Sequence, residues 1–583
     1  MFIRNRHIAL LCNLFLFSNI LILYTEAGDF LSALVVTAVI YIVPGLAWIG
    51  LIKKHVKDSV FLVFFIFVFS FSVLTIILIG FLAAGINPKP VHFLLLTGMI
   101  VNLGIILTRP AEVFQTFRYD YKETLILWLS LVCIFSCIFV GMKTIPEKLD
   151  LDGEHQGTAY GLIHELKPYL TSDDFIGSAF YFAHPPMTNL FNAFSIFLLD
   201  KTDDYKYFYD SAVLTEKVLK LSPGEEATAE FMGETVHLRN FNGQYFTLKK
   251  LSGNDLVDYS YTKTGLIEYI NWQDQNHFFS RPNVFPARAS NIFASLLVFF
   301  ILYKLITGLT QSRLLGIVGG YAYIFTPAIF VRSCLSEHVA FTNCLMVVLA
   351  YQYFRPEIWE NSKWSLKFLK YIPGVLSGLI NQKIVVLVLP LFLIQVYQSR
   401  KERKEKGFLK SLKERSVIPI GFALGSVLFW VYGMVIDYHA FILSHVKVHL
   451  FDRLFHHNTL FAEDYPGFLR LWLEFKFEFP YLPITVFTLI FCLIKFPGRY
   501  VSLFAAWIFS GAILFSIVDW KQTNHLTQIV PPLLIVMMIY VEQQPLMFKR
   551  ILKIIVGLFL IYSFWQDMRL LNDFSFYNPT SGW

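Results

Sequence analysis

Charged side chains are scarce in this 583-residue chain. Asp, Glu, Lys and Arg make up 16% of it, whereas soluble proteins carry about 25%. Hydrophobic residues make up 55%, Phe alone counts 60, and the mean hydropathy is +0.54. This composition excludes an ordinary soluble enzyme and a disordered chain, because so apolar a chain needs lipid as its solvent. The sequence predicts an all-α polytopic integral membrane protein.

Cysteine is also rare, and its placement argues against two kinds of site. The chain has six cysteines, nearly all inside apolar runs, and the polar segment from about 143 to 290 has none. We therefore expect neither a disulfide framework nor a cysteine metal centre.

About fifteen segments are long and apolar enough to cross a membrane, which takes about 20 residues. Alternate loops are basic, including 399–415 with eight Lys or Arg, and this alternation places the N-terminus in the cytoplasm. We interpret 399–415 as an anchor to anionic lipid rather than a nucleic-acid patch. No charged residue falls in the middle of a predicted span, which argues against an ion-coupled transporter. The predicted spans are about 8–24, 30–52, 60–84, 91–108, 124–142, 289–307, 314–332, 338–354, 368–381, 384–398, 416–436, 481–497, 501–518, 526–542 and 549–566.

Two long polar segments, 143–288 and 437–480, then lie on the extracytoplasmic side. The first contains Asn242–Gly243 between two alternating runs, which predicts a β-hairpin and a small β-containing extracytoplasmic insert. The second contains five histidines, of which His445 and His449 would share a helix face. Zinc is one interpretation, but no carboxylate or Cys is in register, so an interfacial helix or an acceptor-binding surface is favoured.

An acidic motif, LDLDGEHQGTAYGL, follows the fifth span. It places Asp150, Asp152, Glu154 and His155 within six positions, where the chain leaves the membrane. Carboxylates there can act as a general base or hold a divalent cation. Taken alone, the same pattern also fits a solvated acidic turn or a helix cap.

Two further candidates stand at the start of apolar segments. His184-Pro185-Pro186 either opens an amphipathic helix near a site or forms a rigid corner. Arg288 begins the sixth span, where its guanidinium either binds a phosphate or snorkels to the interface.

The order of these pieces resembles the GT-C superfold of polytopic glycosyltransferases. Within this superfold, the chain resembles the bacterial group that includes protein O-mannosyltransferases, the aminoarabinose transferase of lipid A and RgtA-like lipopolysaccharide transferases. The acidic first loop, HPP and the Arg-led span support the resemblance, which covers about 124–542. Three later segments are similar to motifs of this group, and Lys383 and Lys521 stand where two of those motifs have a lysine. The segments are GGYAYIFTPAIF (319–330), PGVLSGLINQKIVVLVLPLFL (373–393) and FSIVDWKQTNHLTQIVPPLLIV (515–536). The chain departs from the group where Gly153 separates the acidic pair and where His525 replaces a tyrosine.

The resemblance implies transfer of a sugar, with inversion, from a polyprenyl-phosphate donor to an acceptor hydroxyl of a glycan, lipid or protein. Asp152 or Glu154 would take the hydroxyl proton. Basic side chains would stabilise the phosphate leaving group. The substrate-binding set is Asp150, His155, His184, Arg288, Arg332, Lys383, Lys521 and His525. The sequence implies no certain cofactor, leaves open whether a divalent cation is needed, and predicts no metal-site residue and no nucleic-acid partner. The implied location is a bacterial inner membrane, with the active site on the extracytoplasmic face.

The chain divides accordingly into six parts. These are a four-span N-terminal extension (1–123), the first span of the transferase core (124–142), the acidic and β-containing extracytoplasmic segment (143–288), the transmembrane core (289–436), the second extracytoplasmic loop (437–480) and the C-terminal spans and tail (481–583). Two alternatives stay open. A lipid-linked polysaccharide polymerase or ligase would use a donor carrying many sugars, and a non-enzymatic transporter or flippase would show charges or a polar cavity within the membrane.

Overall fold

The chain is a helical, polytopic membrane protein with one small antiparallel sheet. The computed structural model describes residues 4–25, 27–52, 58–86, 88–115, 120–145, 161–163, 187–199, 204–231, 234–243, 245–250, 261–267, 269–270, 288–335, 339–356, 364–402, 407–452, 468–496, 498–517 and 523–572. Over these residues, eight helices are long and apolar enough to cross a membrane, or up to ten if each of two bent pairs is one span. The predicted fold class, all-α with a small β-containing insert, is confirmed.

The helices fall before and after the sheet. Those before it are α1 (Asn5–Tyr24), α2 (Asp29–Tyr41), α3 (Val43–Trp48), α4 (Ser59–Ala83), α5 (Pro90–Thr108), α6 (Ala111–Gln115), α7 (Tyr121–Thr144), α8 (Met187–Leu199) and α9 (Asp204–Lys220). Those after it are α10 (Ser290–Thr310), α11 (Arg313–Ile324), α12 (Pro327–Ser333), α13 (Val339–Phe354), α14 (Ile372–Ile380), α15 (Val385–Lys401), α16 (Phe408–Arg415), α17 (Val417–Ile436), α18 (Tyr438–Phe441), α19 (Phe468–Glu478), α20 (Leu482–Lys495), α21 (Arg499–Ile517), α22 (Thr523–Leu526), α23 (Val530–Gln543) and α24 (Leu546–Asn572). A π-helical segment, Ile442–Asp452, follows α18.

Each predicted span overlaps a described helix, but the count of fifteen stays a prediction. Several of the apolar helices, such as α13 and α14, are shorter than a membrane crossing requires. The predicted span 314–332 is two helices, α11 and α12, which meet at an angle of 67°. Pro327 begins α12, and a proline there cannot continue the hydrogen-bond ladder of the preceding helix.

The two ends of the helical bundle differ in chemistry. At the end where α7 begins, Lys304 Nζ lies 2.6 Å from Glu123 Oε1 and Arg313 Nη1 lies 2.7 Å from Asp120 Oδ2. The hydrogen bond from Arg313 holds the pKa of the Asp120 carboxyl below its usual range. We call this the Glu123 end. The opposite end, where α7 finishes, is the Arg288 end, and Lys143 pairs there with Asp29 at 2.5 Å.

The sheet has four antiparallel strands in the order β1-β2-β3-β4. They are β1 (Glu226–Phe231), β2 (Glu234–Asn240), β3 (Tyr245–Lys250) and β4 (Tyr261–Thr262). Gly243 has a φ of 83°, and its N–H donates to Asn240 Oδ1 at 2.6 Å, which closes the predicted β2–β3 hairpin. α9 packs against β1, and these elements bury a core of their own that includes Leu214, Phe231 and Leu248.

Helices α14 and α17 cross at unusually close range because both present glycines four residues apart. A Cβ at Gly374 would lie 2.7 Å from Ile418 O, and one at Gly421 would lie 2.6 Å from Tyr371 O. The gaps at Gly378 and Gly425 are smaller still. Small residues at this spacing let membrane helices approach closely. The crossing fixes the C-terminal end of α14, which leads directly into the turn that contains Lys383.

The Gly425→Leu substitution should therefore destabilise the protein. Its side chain would overlap the Val375 carbonyl on α14, and overpacking of this kind costs about 1–3 kcal/mol. We expect a lower midpoint of thermal unfolding in detergent and fewer monodisperse molecules. The control is Gly557→Leu on α24, because no atom lies within 4 Å of a Cβ at that position. Equal midpoints for the two variants would contradict the close crossing.

Candidate functional site

Arg288 lies at the end of the bundle where α7 finishes, and its side chain is 0% exposed. Its Nη1 donates to Met142 O at 2.9 Å and to Ile145 O at 2.8 Å. The last carbonyls of a helix have no partner within the helix and carry partial negative charge, so a guanidinium satisfies them well. The head group of Arg288 is thus buried against α7 and does not reach an exposed interfacial position.

The residues after Arg288 fix the start of α10 against two other parts of the chain. Ser290 Oγ donates to Asn192 Oδ1 on α8. Asn291 Nδ2 donates to Leu335 O, just beyond α12. These bonds join α8, the helix that follows the HPP motif, to the element that begins with Arg288. The order of motifs in the sequence is therefore matched by contacts in space.

Arg332 lies in the short helix α12 and is 3% exposed. α12 packs against α7, against α19 and against α22, which contains His525. Two residues after Arg332, Cys334 is within electrostatic range of Arg288. The two arginines therefore belong to one neighbourhood at the Arg288 end of the bundle.

Lys383 lies in a short 3-10 turn between α14 and α15, and it is partly exposed. Asn381 holds this turn from both sides. Its Oδ1 accepts from Lys383 N at 2.9 Å, and its Nδ2 donates to Thr342 Oγ1 on α13 at 3.0 Å. Asn381 and Thr342 are both buried, so this tether lies inside the bundle.

His525 lies in α22 and is buried, with its ring centroid 5.5 Å from that of Phe515. The turn that follows α22 is tied to α13 by Asn343. Asn343 Nδ2 donates to Tyr323 OH at 2.9 Å and to Thr527 O at 3.5 Å. Two neighbouring residues of α13, Thr342 and Asn343, thus connect to the turn that contains Lys383 and to the turn that follows His525. The described basic residues of the predicted site, Arg288, Arg332, Lys383 and His525, all lie at the Arg288 end.

The remaining predicted residues lie outside the described part of the chain: Asp150, Asp152, Glu154, His155, His184 and Lys521. Asp152 follows Ile145, the last described residue after α7, by seven residues. Lys521 precedes α22 by two residues.

The histidines of the second polar segment do not form a metal site among the described residues. His445 is buried, and its ring stacks on Phe441 with centroids 5.3 Å apart. Phe429 and Trp430 of α17 contact the same ring edge to face. Across the described ranges, no three His, Cys, Asp or Glu side chains are placed to hold a metal. The side chain of His449, and His456 and His457, are outside the described part.

The sequence did not predict the two asparagines that position the turn containing Lys383 and the turn after His525. Asn343 and Asn381 stand inside apolar runs, and a polar residue in such a run is a signal of internal hydrogen bonding. It also missed Asp567, a buried carboxyl in the last turns of α24. The predicted span ended at 566, whereas the helix continues to Asn572.

Comparison with known proteins gives one similar structure. No protein-family model matches the sequence, and no curated protein matches it. This chain is similar to the crystal structure of ArnT from Cupriavidus metallidurans bound to undecaprenyl phosphate, with 8% sequence identity and a TM-score of 0.45. The match covers 73% of this chain and 61% of that chain, so this chain spans less than two thirds of the structure it resembles. A likeness of this size establishes neither a family nor an activity.

Proposed function

We propose that this protein is a membrane glycosyltransferase of GT-C type, which transfers a sugar from a polyprenyl-phosphate donor to an acceptor hydroxyl with inversion. The observation that supports this most is the pair of tethers from α13. Thr342 contacts Asn381, which holds the turn that contains Lys383. Asn343 contacts Thr527 O in the turn that follows His525. Both turns lie at the Arg288 end of the bundle.

Several basic side chains at the Arg288 end of the bundle can stabilise a bound phosphate. The donor's leaving group is a lipid phosphate that gains negative charge as its bond to the sugar breaks. Preorganised cations lower the barrier by stabilising that charge where water is scarce. Arg288, Arg332, Lys383, Lys521 and His525 supply this stabilisation in our proposal, and the lipid tail lies between the helices.

The acidic motif supplies the base. The acceptor oxygen forms a bond to the anomeric carbon as the bond from that carbon to the phosphate oxygen breaks. The proton of the hydroxyl passes to Asp152 or Glu154, and the electron pair of the broken bond leaves with the polyprenyl phosphate. Asp150, His155 and His184 contact the substrates. A single displacement of this kind inverts the anomeric configuration.

The basic loops suggest the orientation of this site. Lys and Arg concentrate in loops at the Glu123 end, including 399–415, and cytoplasmic loops carry such an excess. The Arg288 end then faces outward, with the N-terminus in the cytoplasm. The acceptor is a glycan, lipid or protein of the cell envelope, which is consistent with a bacterial inner membrane.

A transfer assay tests the proposal. The full-length protein is reconstituted in lipid with radiolabelled polyprenyl-phosphate sugars and an envelope extract as the acceptor. Label should reach the acceptor with wild type, and the Asp152→Asn/Glu154→Gln double variant should transfer at least about 10²-fold more slowly. Empty vesicles are the blank, and thermal unfolding confirms that the double variant is folded.

Other outcomes would favour the alternatives. Label found in chains of several sugars would indicate a lipid-linked polymerase or ligase. Movement of intact donor across the bilayer without transfer would indicate a flippase. Equal transfer by wild type and the double variant would contradict the assignment of the base.

A further inference from the structure

The last helix contains a buried polar cluster that the proposed transfer does not use. Asp567 on α24 is 0% exposed, and neither of its carboxylate oxygens has a hydrogen-bond partner in the structure. Ser563, one turn earlier on α24, is equally buried and its Oγ also lacks a partner. The hydroxyl of Tyr481, at the start of α20, is the third such group. We call these three residues the Asp567 cluster.

The three residues are neighbours although they come from two helices. The hydroxyls of Tyr481 and Ser563 lie near the limit of hydrogen-bond distance from each other, and Tyr481 is within electrostatic range of Asp567. Asp567 is also within electrostatic range of Cys137 on α7 and of Cys334 after α12. The cluster therefore lies at the Arg288 end, and Cys334 is within electrostatic range of both Asp567 and Arg288. Among the described residues, no Lys, Arg or His forms an ion pair with Asp567.

A buried carboxylate without a partner is one of the costliest groups in a protein interior. Protonation of Asp567 would remove the charge, and the test below treats a neutral acid as a competing outcome. One water satisfies hydrogen bonds but leaves the negative charge uncompensated. An ion supplied from outside the chain would satisfy the oxygens and compensate the charge together.

The chemistry of the cluster selects that occupant. It offers four side-chain oxygens, two from Asp567 and one each from Ser563 and Tyr481, and hard oxygen ligands favour alkali and alkaline-earth cations. Its single carboxylate provides one negative charge, which one monovalent ion neutralises. Mg²⁺ would leave a net positive charge and holds its waters strongly. We infer that the Asp567 cluster binds an alkali-metal cation such as Na⁺, which joins the C-terminal turns of α24 to the start of α20.

Thermal unfolding of the full-length protein in detergent tests this inference. NaCl is titrated against N-methyl-D-glucamine chloride at constant ionic strength, so that only the identity of the cation changes. Wild type should show a midpoint that rises with Na⁺ and then saturates, by at least about 2 °C over a hundred-fold range of concentration. Parallel titrations use KCl, LiCl and MgCl₂.

Variants assign the effect to the cluster. Asp567→Asn should abolish the dependence on Na⁺, and Ser563→Ala and Tyr481→Phe should each shift it to higher concentration. Asp29→Asn should keep it, because that carboxyl lies at the same end but is exposed and paired with Lys143. If Asp567→Asn does not fold, the two hydroxyl variants still decide the question.

Four results would overturn the inference. They are no Na⁺ dependence in wild type, an unchanged dependence in the hydroxyl variants, stabilisation by Mg²⁺ alone, and stabilisation by low pH without any effect of Na⁺. The last would identify Asp567 as a neutral acid. None of these results depends on sugar transfer, so the proposed function stands or fails separately.

Discussion

The single variants Asp152→Asn and Glu154→Gln should differ in transfer rate by about 10²-fold or more. In the proposed mechanism one displacement needs one base, so only one of the two carboxylates would take the hydroxyl proton. Removal of the general base typically lowers a rate by about 10²–10⁴-fold, whereas loss of a neighbouring carboxylate changes binding more than the rate. The variant with the large loss in kcat identifies the base. The other should change mainly KM.

The pH dependence of transfer provides a second readout. Transfer by wild type should fall as the pH is lowered through the pKa of the base, because a protonated carboxyl cannot accept the hydroxyl proton. The variant that lacks the base should lose this limb, and the other variant should retain it. Asp29→Asn is the matched control, since that carboxyl lies at the Arg288 end and pairs with Lys143. Equal rates for both single variants would contradict a single-base mechanism.

Local patterns in the sequence predicted much of the fold. The hairpin at Asn242–Gly243 followed from turn chemistry that involves only adjacent residues, and the structure has it. The apolar runs predicted where helices lie, because length and hydropathy are properties of each segment alone. The 67° bend between α11 and α12 was not predicted from 314–332, since its size depends on the helices packed around it. Thr326–Pro327 indicated only where a break could occur.

The candidate site was less predictable, because its contacts join residues far apart in sequence. Arg288 donates to carbonyls 146 and 143 positions earlier, so the sequence left a phosphate ligand and an exposed interfacial residue equally open. Thr342 and Asn343 also contact turns that lie 39 and 184 positions away. Asp567 was missed for the same reason, since its neighbours Cys137, Cys334 and Tyr481 come from other parts of the chain. Residue types indicated chemistry, but tertiary packing decided which of them meet.

Arg288→Met should lower both the stability of the protein and its transfer rate. Methionine fills much of the same volume but donates no hydrogen bond, so Met142 O and Ile145 O would lose the Nη1 donor. A buried polar group left unsatisfied costs about 1–3 kcal/mol, and two carbonyls are affected. The negative end of the α7 dipole would also lose its nearby cation. The midpoint of thermal unfolding, and transfer measured well below it, separate the two effects.

Arg288→Lys divides the structural role from the electrostatic one. Lysine keeps the positive charge, but its single ammonium does not reproduce the planar fork of donors, so it should recover transfer only in part. The control is Arg550→Met on α24, because this residue is exposed and its substitution should change stability by less than about 0.5 kcal/mol. If Arg288→Met unfolds at the wild-type temperature but transfers no sugar, the arginine acts on the substrate and the bonds to α7 contribute little. If it unfolds at a lower temperature but transfers sugar at the normal rate when folded, the role of Arg288 is to hold α10 against α7. The phosphate is then stabilised by Arg332 and by the turns that contain Lys383 and follow His525.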